Sequence, residues 1–271
     1  MRLSIAFFIV LATGIVEAQQ PFYTDDAGTT AKHTFHFEFF NEFDRLQTEQ
    51  APNRHQNTAS FKVNYGLTDS IELDLDNPYL SILRDRFADP PLYHGVGDTN
   101  LGVKWAFHKE TPRSPAFSAT MYFEFPTGDS SRSLGSGLTD YWLNGIAQKT
   151  FAKKTKVTAN GGILFAGNTS VGLIGIQTRG RVYTSGLSAV RKYTEKLSFG
   201  LEATGAVSKN LDLARGQLQF LGGGVYQLRQ AVAFTFALLG GKYIASPVVG
   251  GQVGLAIDFP PIRSSGSRLL R

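Results

Sequence analysis

Cysteine is absent from the sequence, which excludes disulfide frameworks, thiolate zinc sites and cysteine nucleophiles. Helical periodicity is also missing: no amphipathic helix can be read beyond residue 18. The one apolar run, Leu3 to Val16, is too short to cross a bilayer comfortably as a helix. Acidic residues are outnumbered, giving a formal charge of +5 and a pI near 9.3. The lysines and arginines are nevertheless scattered one or two at a time. No basic stripe, recognition helix or aromatic–basic cluster appears, so nucleic acid is excluded as a partner. No shift in composition divides the 271 residues, and one large domain is expected.

What the chain does have is alternation. In 59–67 the apolar residues Ala59, Phe61, Val63, Tyr65 and Leu67 fall on every second position, between Ser60, Lys62, Asn64 and Gly66. After a break at Thr68-Asp69-Ser70 the pattern resumes with Ile71, Leu73 and Leu75 against Glu72, Asp74 and Asp76. Successive side chains of a strand point to opposite faces, so this is a hairpin with one apolar and one charged face. A soluble sandwich or lipocalin-like barrel would cover the apolar face from within. A barrel in a bilayer turns it outward. A mean hydropathy of −0.11 fits strands that are half polar and does not oppose the membrane.

Residues 1–18 read as a secretory signal, with Arg2, the apolar run and a small-residue cleavage site at Val16-Glu17-Ala18. Residues 19–31 form a short periplasmic leader, hanging in the periplasm or tucked partly into a lumen, and too short for a full plug domain. The barrel is expected over 32–259, followed by a C-terminal tail, 260–271. Its strands fall at about 32–43, 59–67, 71–75, 97–108, 116–125, 140–151, 156–166, 181–193, 197–206, 217–228, 231–239 and 248–259. These make about twelve strands, most near ten residues, the length a tilted transmembrane strand needs.

The connections alternate long and short along the chain, from 44–57 long and 68–70 short to 207–216 long and 229–230 short. Outer-membrane barrels have short periplasmic turns, long extracellular loops and an even number of antiparallel strands. The fold class is therefore all-β, a transmembrane antiparallel up-and-down barrel in the bacterial outer membrane. On the polar, lumen-lining face it places His36, Glu38, Lys62, Asn64, Glu72, Asp74, Asp98, Asn100, Lys104, Tyr122, Glu124, Glu202 and Gln252. On the lipid face it places Phe35, Phe37, Phe61, Val63, Leu73, Val103, Trp105, Phe123, Leu201, Leu255 and Phe259. Aromatics near strand ends, such as Tyr65, Trp105, Phe125 and Tyr226, suit interfacial girdles.

Two stretches are distinctive. One is Gly95-Val96-Gly97-Asp98-Thr99-Asn100-Leu101-Gly102-Val103-Lys104-Trp105. The other is Phe125-Pro126-Thr127-Gly128-Asp129 with Leu134-Gly135-Ser136-Gly137 and Asp140. With Tyr23-Thr24-Asp25-Asp26 they resemble the MetA-pathway of phenol degradation family, over most of the chain beyond the signal. The resemblance implies an outer-membrane barrel of transporter type that takes up small compounds, aromatic ones among them. It supplies no catalytic residues and no defined substrate. The tail after Phe259 departs from it, since such barrels usually end on the aromatic.

Other constellations read more plainly. Gly97 to Lys104 mimics a phosphate loop, but Val103 separates Gly102 from the lysine and Trp105 follows on a strand. His36 and Glu38 share a face that His33 does not, which is too few ligands for zinc. The inward carboxylates Glu38, Glu72, Asp74, Asp98, Glu124 and Glu202, balanced by Lys62 and Lys104, read as the field of a pore favouring cations or neutral solutes. Loops 77–95 and 126–139 are the expected constrictions. Loop arginines, Arg54, Arg84 and Arg86 among them, can meet lipid phosphates.

The resulting expectation is passive passage of small solutes through a narrow polar lumen, with no enzymatic activity, cofactor or metal. Its surroundings are the lipid bilayer and lipopolysaccharide, with the barrel-assembly machinery acting during biogenesis and the solute unidentified. The alternatives are a barrel enzyme acting on lipid or peptide, or a non-transporting barrel that binds a surface partner.

Overall fold

A computed structural model describes residues 21–166, 180–208 and 216–259. The signal segment 1–18, the tail 260–271 and Arg179 lie outside the described residues. Thirteen strands run in chain order among them: β1 (Phe35–Arg45), β2 (Asn53–Gly66), β3 (Ile71–Arg84), β4 (Leu92–Val96), β5 (Thr99–His108), β6 (Ala116–Phe125), β7 (Asp140–Phe151), β8 (Thr155–Ala166), β9 (Gly180–Lys192), β10 (Leu197–Ser208), β11 (Gln217–Arg229), β12 (Val232–Lys242) and β13 (Val249–Phe259).

All neighbours in the sheet are antiparallel, and β1 pairs with both β2 and β13. The β1–β13 ladder runs from Phe35↔Phe259 to Arg45↔Val249 and closes the sheet on itself. Closure satisfies the backbone of every stave without water, which is the condition for crossing hydrocarbon with strands. β4 and β5 are two pieces of one stave. β3 pairs with β5 as far as Asp76↔Asn100 and with β4 from Tyr79↔Val96 onward. The break falls at Gly97-Asp98, opposite Pro78, which has no N–H to donate but accepts from Gly97 N at 2.8 Å. The architecture is thus a closed antiparallel barrel of twelve staves.

Alternation sorts the side chains. On β1, His36, Glu38, Phe40, Glu42 and Asp44 are buried inside, while Phe35, Phe37, Phe39 and Phe43 look outward. The outer surface carries exposed apolar groups all round, including Trp105, Leu201, Phe220 and Leu238 at 56%, 65%, 58% and 73% exposure. A soluble protein does not leave such a belt in water, and a bilayer covers it. Across the β1–β2 ladder, Phe35 lies 4.7 Å from Tyr65 and Phe39 5.0 Å from Phe61, ring centre to centre.

Two expected loops are largely strand. β2 begins at Asn53, not near residue 59, and β3 continues to Arg84, where it pairs with β4. The 77–95 segment is therefore a raised hairpin with Ile82 buried inside at 2% exposure. Its outward positions include Tyr79, Ser81 and Leu83, and Ser81 is the register partner of Asn57 on β2. Leu80 and Ile82 face inward while Tyr79 and Leu83 face outward, so both faces carry apolar groups and the alternation fades.

Candidate functional site: an occupied lumen

Residues 21–31 lie inside the barrel. Of the two placements open to the leader, the periplasm or the lumen, the structure shows the second, and the reason is chemical. The segment carries an apolar group, two carboxylates and a run of backbone amides, and the inner wall has a partner for each.

The chain enters at the rim that carries the short turns. There His33 N donates to Gly66 O at 2.7 Å and Gly66 N donates to Thr34 O at 3.2 Å. A Cβ on Gly66 would lie 2.2 Å from Ala31 O, so only glycine lets the leader pass this close. Thr30 N then donates to Glu72. Ala27 packs with Ala116 and Ile146, and its N–H donates to Gln148 Oε1 at 3.1 Å.

At mid-height Lys104 gathers three carboxylates. Its Nζ lies 2.7 Å from Asp25 Oδ1, 3.8 Å from Asp26 Oδ1 and 3.4 Å from Glu72 Oε1. Lys156, at the start of β8, reaches Asp26 Oδ2 at 3.9 Å. Glu202 on β10 accepts two leader amides, from Tyr23 N at 3.0 Å and Thr24 N at 2.5 Å. The Tyr23 hydroxyl donates to Glu42, which also accepts from Gln252 Nε2 at 2.9 Å. Phe22 ends the path in a pocket of Leu221, Ala237, Leu239 and Val190.

All the residues read as lumen-lining sit on the inner face. His36, Glu38, Asn64, Glu72, Asp74, Asp98, Lys104, Glu202 and Gln252 are buried, and Lys62, Asn100, Tyr122 and Glu124 are partly so. The structure gathers only some of them around the leader: Glu72, Lys104 and Glu202 touch it directly. Tyr122 donates to Asp74 at 2.7 Å. His36 stands between Glu38 at 3.1 Å and Asp258 at 2.6 Å. Both its ring nitrogens are taken by carboxylates, leaving neither to serve as a base toward a hydroxyl.

The residues read as lipid-facing lie on the outer face. Phe61, Leu73, Val103, Trp105, Phe123, Leu201, Leu255 and Phe259 are exposed there, and Phe35, Phe37 and Val63 partly so. Among the described residues, no group of three or more histidines and carboxylates could hold a metal ion.

Sequence reading missed Gln148, Lys156 and the leader's own side chains as parts of the lumen. One signal could have found the leader: three residues separate Phe22 from the expected signal, and an exported chain gains by burying its ring, which is 6% exposed.

Loop 126–139 is the second feature of the interior. Asp98, 7% exposed, accepts from Gly128 N through Oδ1 at 2.9 Å and from Ser136 N through Oδ2 at 2.5 Å. A Cβ on Gly135 would lie 2.2 Å from Asp98 Oδ1. Leu134, 3% exposed, packs at Gly95. Farther out on the loop, the Ser131 hydroxyl donates to Asp129 at 2.6 Å and holds that carboxyl below its ordinary range. The two stretches that carried the family resemblance therefore bind one another here.

The fold is that of outer-membrane channels and porins. The chain is similar to the COG4313 outer membrane channel from Pseudomonas putida F1, with 16% identity and a TM-score of 0.67 over 86% of this chain and 98% of that one. It is also similar to the NanC porin, with 10% identity and a TM-score of 0.59 over 82% of this chain and 98% of that one. The translocator domain of the autotransporter NalP from Neisseria meningitidis shares the fold too, with 10% identity and a TM-score of 0.52 over 85% and 90% of the two chains. No family model and no curated protein sequence matches.

Proposed function

We propose that this chain is a bacterial outer-membrane channel that passes small solutes by passive diffusion, with its width set by the leader. Residues 1–18 serve as its export signal, the short turns face the periplasm and the long loops face outside. The observation that carries the reading is a polar lumen with an ordered segment held across it by Lys104, Glu202 and Gln148. Twelve-stave barrels fall between those filled by side chains and those with wide aqueous channels. A segment of this size therefore leaves only a narrow path.

Carboxylates outnumber lysines on the inner wall, so cations and neutral solutes pass more readily than anions. Small aromatic and hydrophobic compounds belong to the proposed range, in line with the family resemblance. The COG4313 channel and the NanC porin support the reading at the level of fold.

Planar-bilayer recording tests it. The purified chain is expected to give small, cation-preferring conductance, and a variant lacking residues 21–31 is expected to give a severalfold larger one. Silence from both forms would sink the proposal.

A further inference from the structure

The long-loop rim carries a cluster that the lumen does not use. β3 has 14 residues, a climb of about 33 Å at the usual rise and tilt, against an apolar belt about 25 Å tall. Arg84, at its end, therefore stands above the belt, with its guanidinium over Tyr93, the register partner of the inward Ile82.

There Arg54, Arg84, Asp85, Arg86 and Phe87 line an open hollow of about 830 Å³. Asp85 is the one carboxylate facing three guanidinium groups, and it is taken by Arg54. The other two arginines are posed by aromatic rings. Arg84 lies 4.3 Å from the centre of the Tyr93 ring, and its Nη1 donates to Pro90 O at 2.6 Å. Its Nε is buried without a hydrogen-bond partner. Arg86 lies 4.5 Å from the centre of the Phe87 ring, and Phe87 is 84% exposed.

A guanidinium stacked on a ring keeps its N–H groups in a fixed fork, and that fork matches the oxygens of a phosphate. The Arg86 fork, the remaining Nη2 of Arg84, a surplus of positive charge and the exposed Phe87 ring together make a site for an anionic sugar.

We propose that this hollow binds a phosphorylated sugar. Arg84 and Arg86 hold the phosphate, and Phe87 lies against the sugar face. Arg54 is tied to Asp85 and shapes the wall. The chemistry has two sources: the phosphorylated sugars of surrounding lipopolysaccharide, and a diffusible sugar phosphate arriving at the barrel mouth. No leader residue and no contact of the leader lines this hollow, so its test does not depend on conduction.

Purified barrel in phosphate-free detergent is titrated calorimetrically with glucose 6-phosphate, with glucose, with lipopolysaccharide and with dephosphorylated lipopolysaccharide. Glucose 6-phosphate or intact lipopolysaccharide is expected to bind, and the two dephosphorylated probes to bind at least about tenfold more weakly. Binding of lipopolysaccharide alone assigns the site to the lipid, whereas binding of glucose 6-phosphate assigns it to a solute. The Arg84→Gln/Arg86→Gln double variant, with an unchanged heat-dependent gel shift as proof of folding, is expected to lose at least about tenfold in affinity. The Arg84→Gln single variant serves if the double variant does not fold. Absence of binding by both phosphorylated probes, equal binding by glucose, or full affinity in a folded variant would overturn the proposal.

Discussion

Lys104, in the middle of β5, reaches across the lumen to Asp25 on the leader, Nζ to Oδ1 at 2.7 Å. The lysine is 1% exposed, and Asp26 and Glu72 stand within 4 Å of the same nitrogen. A buried cation with three carboxylates is the point at which wall and leader depend on one another. Removing it leaves like charges facing each other out of water, and loss of one partner of a buried pair costs about 3–5 kcal/mol. Lys104→Met is therefore expected to lower the unfolding midpoint in urea and to raise conductance by freeing the leader. Adding Asp25→Asn should recover part of the lost stability. Parental midpoint and conductance in Lys104→Met would show that the pair holds nothing.

Asp98 ties loop 126–139 to the break between β4 and β5 through two backbone amides. Asparagine keeps the shape but turns one acceptor into a donor facing an N–H. The loss is about 1.5–3 kcal/mol, the range for a hydrogen bond to a charged group. Arg132 on this loop is exposed and offers a readout. Asp98→Asn and Gly135→Ala are both expected to speed tryptic cleavage after Arg132 in the folded, detergent-solubilised barrel. Cleavage at the parental rate in both would mean that the loop is held by something other than Asp98.

The staves were legible because every second residue is apolar wherever the wall meets lipid. Phe35-His36-Phe37-Glu38 shows this on β1, and the ends of β6 fall where the periodicity puts them. Legibility failed where that selection stops. On the upper wall Leu80 and Ile82 face inward between the outward Tyr79 and Leu83, and Asn57 and Ser81 are polar on the outer face, so there is no period-2 signal although these are paired strand residues. The leader was opaque for a different reason. Its contacts are one-to-one polar matches, Asp25 to Lys104 and the Tyr23 and Thr24 amides to Glu202, between positions far apart in the chain. No local periodicity encodes such pairs. The surplus of inward carboxylates was visible, but that some of them serve to hold backbone amides was not.

Depth in the bilayer can be read with a single charge at two heights of β10. Leu201 and Val207 are both outward and about equally exposed, 65% and 64%, but Leu201 is near mid-height and Val207 near the long-loop end. Arginine on the lipid face costs about 2–4 kcal/mol at the midplane and about 0–1 near the interface. Leu201→Arg is expected to lower folding stability in lipid vesicles by the larger amount and Val207→Arg by the smaller. Equal costs, or a greater cost at Val207, would displace the belt from where the exposed apolar residues put it.

Phe22 separates the stability of the leader from that of the barrel. Its ring is 6% exposed among Leu221, Ala237, Leu239 and Val190, yet it forms no part of the sheet. Truncating a buried phenylalanine to alanine costs about 3–5 kcal/mol. Here that loss falls on docking of residues 21–31, because every ladder that closes the barrel is left intact. Phe22→Ala is thus expected to keep the parental temperature of its gel shift while its single-channel current becomes larger and flickers between levels. Lys104→Met should change both readouts, since Lys104 belongs to wall and leader together. A Phe22→Ala trace matching the parent would mean that the polar contacts alone fix the leader. A lowered gel-shift temperature would mean that the leader is part of the barrel's own cooperative unit.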